Sequence, residues 1–200
     1  MQCPKQWRSN CRASVSTSPV RDMSCATKPH YLRWTDKKSH YYRRLAVADV
    51  MIDAPLDVRL LPSDFVASEV LAQFQSAYRQ SGAVVSFTGS VRPDNGVNAL
   101  ELTHYEPLTL PGMVDLAGDA LARWALDGLL VWHRVGLMVP GDPIVLVAAA
   151  SPHRRSAFQV VDFMMDHLKS AAWFWKRERT AEGWRWIEPR DQDFQDRARW

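Results

Sequence analysis

Apolar patterning starts abruptly near residue 51, and that break constrains the fold more than any other feature of this sequence. Residues 1–50 carry no sustained period of 3.6 or 2. They are rich in Ser, Arg, Lys and Pro, with ten Lys and Arg against three Asp, a net charge of +7. Such a composition buries too little apolar surface to offset the entropy of ordering. Residues 51–200 carry fifteen Lys and Arg against nineteen Asp and Glu, a net charge of −4. A single folded domain is therefore expected over 51–200, behind a basic extension over 1–50.

Three readings of the extension are open: a disordered tail, a targeting peptide, or a segment that is not made because translation starts near Met51. A basic arm with Trp7, Trp34, Tyr41 and Tyr42 could also touch nucleic acid. The negative charge of the domain argues against a nucleic-acid surface there. Cys3, Cys11 and Cys25 all lie in the extension, which excludes a cysteine nucleophile, a disulfide and a thiolate metal site from 51–200. The longest apolar run, Ile144 to Ala150, is too short to span a bilayer, and no apolar signal segment follows Met1. A cytoplasmic protein without a membrane partner is expected.

Within the domain, Leu56 to Leu61 reads as a strand, and Ser63 as the cap of a helix over about 64–80. Ala83–Val91 and Val97–Tyr105, separated by Pro93-Asp94-Asn95-Gly96, read as a hairpin. A helix is expected over 110–124, and strands over 129–135 and 143–150 around Pro140-Gly141-Asp142. Ser151 caps a long helix to about Ser170. Residues 173–179 and 184–187 form another expected hairpin, turning at Glu182-Gly183, before a short polar helix. Irregular alternation with several hairpins favours an α+β fold.

Two features carry chemistry. After Ser151-Pro152, the expected helix opens with His153, Arg154 and Arg155, whose charge opposes the positive end of the helix dipole. A bound anion would reverse that effect; the alternative is side chains that merely point to solvent. Lysine usage is the second feature. Of fifteen basic residues in 51–200 thirteen are Arg, and the two lysines, Lys169 and Lys176, lie seven apart beside Trp173, Phe174 and Trp175. A lysine near apolar walls suits base or nucleophile chemistry, whereas a helix-end cation and a strand-edge charge are the plainer reading. Arg92 ends the Phe87–Val91 run, where Gly89 would permit close approach of a ligand or mark a bulge. His104, His133 and His167 show no metal-ligand spacing and read as structural. No metal site is expected.

Taken in order, these segments resemble one family: Phe87-Thr88-Gly89-Ser90-Val91-Arg92, Val97-Asn98-Ala99-Leu100, His104-Tyr105, His133-Arg134-Val135-Gly136, Pro140-Gly141-Asp142, Ser151-Pro152-His153-Arg154, Leu168-Lys169, Phe174-Trp175-Lys176-Arg177-Glu178 and Trp186. The set is similar to the catalytic (large) subunit of molybdopterin synthase over about 55–200. The resemblance implies an α/β hammerhead fold with an additional antiparallel β subdomain. It also implies a dimer of large subunits within a heterotetramer, each binding a small ubiquitin-like sulfur-carrier subunit. The carrier's C-terminal Gly-Gly thiocarboxylate would supply two sulfurs to cyclic pyranopterin monophosphate, a sulfurtransferase reaction needing no cofactor.

By position, the resemblance makes Lys169 the principal catalytic amine, as a proton carrier or in a transient link to the carrier tail, with Lys176 assisting. Arg92, His153, Arg154 and Arg190 would hold phosphate and pterin, with Arg177 and Glu178 beside the pocket. Ser90 departs from the family pattern, where a basic residue is frequent. The turn at 93–96 is short, and residues 106–111 (Glu-Pro-Leu-Thr-Leu-Pro) add length before Gly112-Met113. A non-catalytic partner-binding subunit of the same fold is the alternative, and the intact lysine pair speaks against it.

Overall fold

The computed structural model describes residues 55–171 and 173–200. The expectations for the basic extension and for a start near Met51 lie outside the described residues. Eight strands and four helices follow in the order β1 (Leu56–Leu61), α1 (Ala67–Ala77), β2 (Ala83–Ser90), β3 (Ala99–His104), α2 (Glu106–Arg123), β4 (Gly128–Arg134), β5 (Gly136–Met138), β6 (Pro143–Ser151), α3 (Arg154–Ser170), β7 (Phe174–Thr180), β8 (Gly183–Ile187) and α4 (Asp191–Arg197). The fold is α+β, as the irregular alternation implies.

One sheet has the order β1-β4-β6-β2, parallel at β1–β4 and antiparallel elsewhere. Its central strands are buried on both faces, which explains the unbroken apolar run of β6. The period of two then sorts the side chains. Leu129, Val131, Val145, Val147 and Ala149 pack with Met113, Leu116 and Ala120 of α2 and with Val160, Met164 and Leu168 of α3. Leu130, Trp132, Leu146, Ala148 and Ala150 pack with Val70 and Phe74 of α1.

The second sheet has the order β5-β3-β7-β8, all antiparallel. Leu100, Leu102 and Met138 pack with Val91 in a smaller core that Ile144 and Phe174 join.

Several local expectations are corrected. Residues 83–105 are not a hairpin: β2 pairs with β6 in the first sheet, while β3 pairs with β5 and β7 in the second. Both runs have the right pattern, but a short 3-10 turn at Asp94–Gly96 passes the chain between sheets instead of reversing it within one. Helix α1 begins after Val66 rather than at Ser63. Helix α2 begins four residues before the expected 110, because its prolines sit where they are tolerated. Pro107 occupies the first turn, where no helical N–H is needed, and Pro111 removes only one helical bond. The hairpin of β7 and β8 and the closing helix α4 form as expected, and β5 was not anticipated.

Candidate active site

Strand β7 presents alternate residues to opposite sides of the second sheet. Phe174 packs inward on the small core, so Lys176 and Glu178 share its side. They line a cavity of about 90 Å³ together with Ser90, Val91, Arg92 and Asn95. The turn after Arg92 brings Asp94 and Asn95 to this cavity, with Asn95 at φ 57° and Gly96 at φ 70°. Lys176 Nζ lies 3.6 Å from Glu178 Oε1, and the lysine side chain is 41% exposed. Arg185 Nη2 lies 3.4 Å from the other Glu178 oxygen, and Arg92 Nη1 lies 3.2 Å from Asp94 Oδ2. The cavity thus holds two cations whose carboxylate partners an incoming anion could displace.

Arg177 belongs to the other face of β7 and does not line this cavity. It pairs with Glu101, directly opposite on β3, and its guanidinium lies 4.5 Å from the Trp184 ring centroid and 5.7 Å from that of Trp186. Arg190 is exposed just before α4, where its backbone N–H donates to the Asp193 carboxylate at 2.9 Å, and it lines neither cavity described here.

The second cationic group sits at the start of α3. The residue capping this helix is His153, not Ser151, and no side chain caps it. Ser151 ends β6 instead; its hydroxyl donates to Ala125 O at 2.8 Å and accepts from His153 N–H at 3.2 Å. Close packing fixes the approach of β2: a Cβ at Gly82 would lie 2.2 Å from Pro152 O. Gly82, His153, Arg154, Arg155, Phe158 and Gln159 line an open depression of about 590 Å³. No acidic residue occupies the first turn. Unsatisfied N–H groups and guanidinium groups therefore lie at the same helix end, a setting suited to a phosphate.

Lys169 is exposed in the last turn of α3, where a cation suits the helix dipole. It forms no hydrogen bond or ion pair among the described residues. Fifteen residue steps separate it from Arg154, roughly 22 Å along the helix axis. Within one chain, the structure brings Arg92, Lys176 and Glu178 together and sets His153 and Arg154 at the opposite end of α3 from Lys169.

Beneath the site lie His133, read from sequence as a structural histidine, and Arg134, read there only as part of a motif. His133 is buried and stacks on Phe174, with ring centroids 4.2 Å apart and planes 14° from parallel. Burial pushes its imidazole down to about 4, against the opposing effect of its bond to the Arg134 carbonyl. The neutral ring donates from Nδ1 to that carbonyl at 2.9 Å. Arg134, also buried, reaches Asp64 at 3.1 Å, Asp142 at 3.4 Å and Pro143 O at 3.3 Å, tying the end of β4 to the segment before α1 and to the turn before β6. A polar pair interrupting the apolar run of β4 is the signal that sequence offered for both. Among the described residues, no group of three or more His, Cys, Asp or Glu could hold a metal ion, and no helix is long and apolar enough to cross a membrane.

Comparison with known proteins agrees with this architecture. The family model described as MoaE protein matches residues 61–171. The molybdopterin synthase catalytic subunit of Ralstonia nicotianae is 44% identical over 146 residues, 72% of this chain and 83% of that protein. The solved MoaE protein of Burkholderia ambifaria, 37% identical, superposes with a TM-score of 0.62 over 72% of this chain and 97% of its own. A Helicobacter pylori complex of subunits 1 and 2 of molybdopterin-converting factor matches with a TM-score of 0.59 over 68% of this chain and 92% of that one; at 20% identity it shows the fold alone. The chain belongs to the MoaE family of molybdopterin synthase catalytic subunits, enzymes of molybdenum-cofactor biosynthesis.

Proposed function

We propose that this enzyme inserts two dithiolene sulfurs into cyclic pyranopterin monophosphate, taking each from the C-terminal thiocarboxylate of a small ubiquitin-like carrier subunit. The observation that carries the reading is the sharing of one cavity by Lys176 and Arg92 in a chain of this family. In each transfer the carrier's C–S bond breaks, a new C–S bond on the pterin side chain replaces a C–O bond, and water supplies the oxygen that leaves the carrier tail as a carboxylate. Residues 51–200 contain no cysteine, which fits a sulfur brought from outside the domain, as a carrier would bring it. The anionic tail and the precursor phosphate both suit cationic surroundings. Lys169 acts as the principal amine, moving a proton or linking transiently to the carrier tail. Lys176 and Arg92 orient the reacting groups, with Glu178 holding Lys176 until substrate arrives.

His153 and Arg154 bind the precursor phosphate. They stand too far from Lys169 along α3 to grip the same small molecule within one chain. The working site is therefore composite in a dimer, with the start of α3 from one protomer facing the lysines of its partner. Support comes from the roughly 22 Å helix separation, a long span for one small molecule to bridge. Arg177 and Arg190 lie outside the described cavities, and their part in substrate binding rests on the family resemblance alone.

The test is reconstitution: the full chain, thiocarboxylated carrier and cyclic pyranopterin monophosphate are mixed, and the dithiolene product is assayed. Product formation is expected. A folded, carrier-binding protein that makes none would overturn the proposal.

A further inference from the structure

Trp173, which lies between Lys169 and Lys176 in sequence, is fastened to the first turns of α2. Thr109 lies in the Glu106–Pro111 stretch and is fully buried. It heads the stripe of α2 that continues through Met113, Leu116, Ala117 and Ala120, all buried. A hydroxyl in such a stripe is costly unless it is bonded. Thr109 Oγ1 lies 3.0 Å from Trp173 O and 3.0 Å from Tyr105 O, and its one proton serves both carbonyls. Tyr105 O already accepts the Thr109 N–H at 3.0 Å, so the hydroxyl is the added link to Trp173 O. One turn on, the Trp173 ring lies against Gly112: a Cβ there would fall 2.7–2.8 Å from ring atoms. Hydroxyl and glycine together seat Trp173 by its carbonyl and its ring.

We infer that Thr109 is a positioning residue for the reaction: with Gly112 it docks Trp173 and so fixes where β7, the strand that carries Lys176, begins. This rests on the reading of those lysines as the working amines. The dock acts on geometry and touches no substrate. Displacements of an ångström at reacting groups change rates far more than binding. The first turns of α2 are thus a support for Trp173, three residues before Lys176.

The test compares full-length Thr109→Val, Thr109→Ser and Gly112→Ala with the wild type by amide hydrogen exchange and reconstituted turnover. Valine keeps the volume and removes the donor. Serine keeps the donor. Alanine at 112 raises helix propensity yet crowds the Trp173 ring, which separates positioning from stability. Exchange in the peptide over 171–176 is expected to rise about fivefold in Thr109→Val, as for one lost hydrogen bond, and to rise in Gly112→Ala. In both, kcat falls about tenfold with the precursor KM within about twofold, while Thr109→Ser matches the wild type. Unchanged exchange in Thr109→Val overturns the dock, and raised exchange with unchanged kcat overturns its role in turnover. Full activity in Lys169→Ala would instead strike the lysine reading, while the exchange result would still decide the dock.

Discussion

His133 on β4 and Phe174 on β7 stack nearly parallel, 4.2 Å between ring centroids, and so join the two sheets two residues before Lys176. The buried ring is neutral at pH 7, because burial holds its pKa down at about 4 against an ordinary 6.5. The unfolded chain therefore binds this proton at a higher pH than the folded one, and stability falls as pH drops from about 6.5 to about 4. The loss amounts to roughly 3 kcal/mol for a shift of this size. Urea unfolding at pH 7 and at pH 4.5 should show the decline, and His133→Phe should flatten it. An equal pH slope in that variant would contradict the assignment.

A second prediction concerns α3. Asp166 Oδ2 accepts from Arg199 Nη2 at 2.8 Å, Arg199 Nε at 3.1 Å and Trp200 Nε1 at 2.7 Å, clamping the segment after α4 onto the helix that carries Lys169. The bond to Asp166 is the main reason the Arg199 guanidinium is held above its ordinary pKa. Trp200 packs edge-on against Trp124 and Phe163 below it. Asp166→Ala should lower the urea midpoint, since Arg199 and Trp200 lose their shared acceptor on α3. An unchanged urea midpoint would show that the clamp is idle.

The composite site makes a sharper claim about assembly. Arg154→Ala alone should raise the precursor KM, with about 1–3 kcal/mol of binding lost. At precursor concentrations well below the KM of Arg154→Ala, where that variant is nearly idle, mixing Arg154→Ala and Lys169→Ala protomers should raise activity above that of either alone. A hybrid dimer holds one site with both residues intact, so random mixing recovers about a quarter of wild-type turnover. No recovery, with hybrid dimers demonstrated by mass, would place the two groups in one protomer's site or in separate ones.

Much of the fold was legible because its signals are local. The turn at Pro140-Gly141-Asp142, the run of β6 and the Glu182-Gly183 reversal each announce themselves within a few residues. Pairing is not local. The runs at 83–90 and 99–104 look like a hairpin, and only the competing offer of β6 on one side and β7 on the other separates them. The lysine pair stood out in sequence through the scarcity of lysine. The face of Arg177 did not, because strand register decides it, and the gap between Arg154 and Lys169 follows only once both are placed on one helix. Thr109 was hidden by Pro111, which reads as a helix boundary but is housed inside α2.

The most direct measurement is single-turnover dithiolene formation by wild type and Lys169→Ala with thiocarboxylated carrier and cyclic pyranopterin monophosphate. Lys169 is exposed and unpaired among the described residues, so its loss should change stability by less than about 0.5 kcal/mol. The account predicts a folded variant that still binds carrier and forms product at least about a hundredfold more slowly. Near-normal product formation by that variant would contradict it.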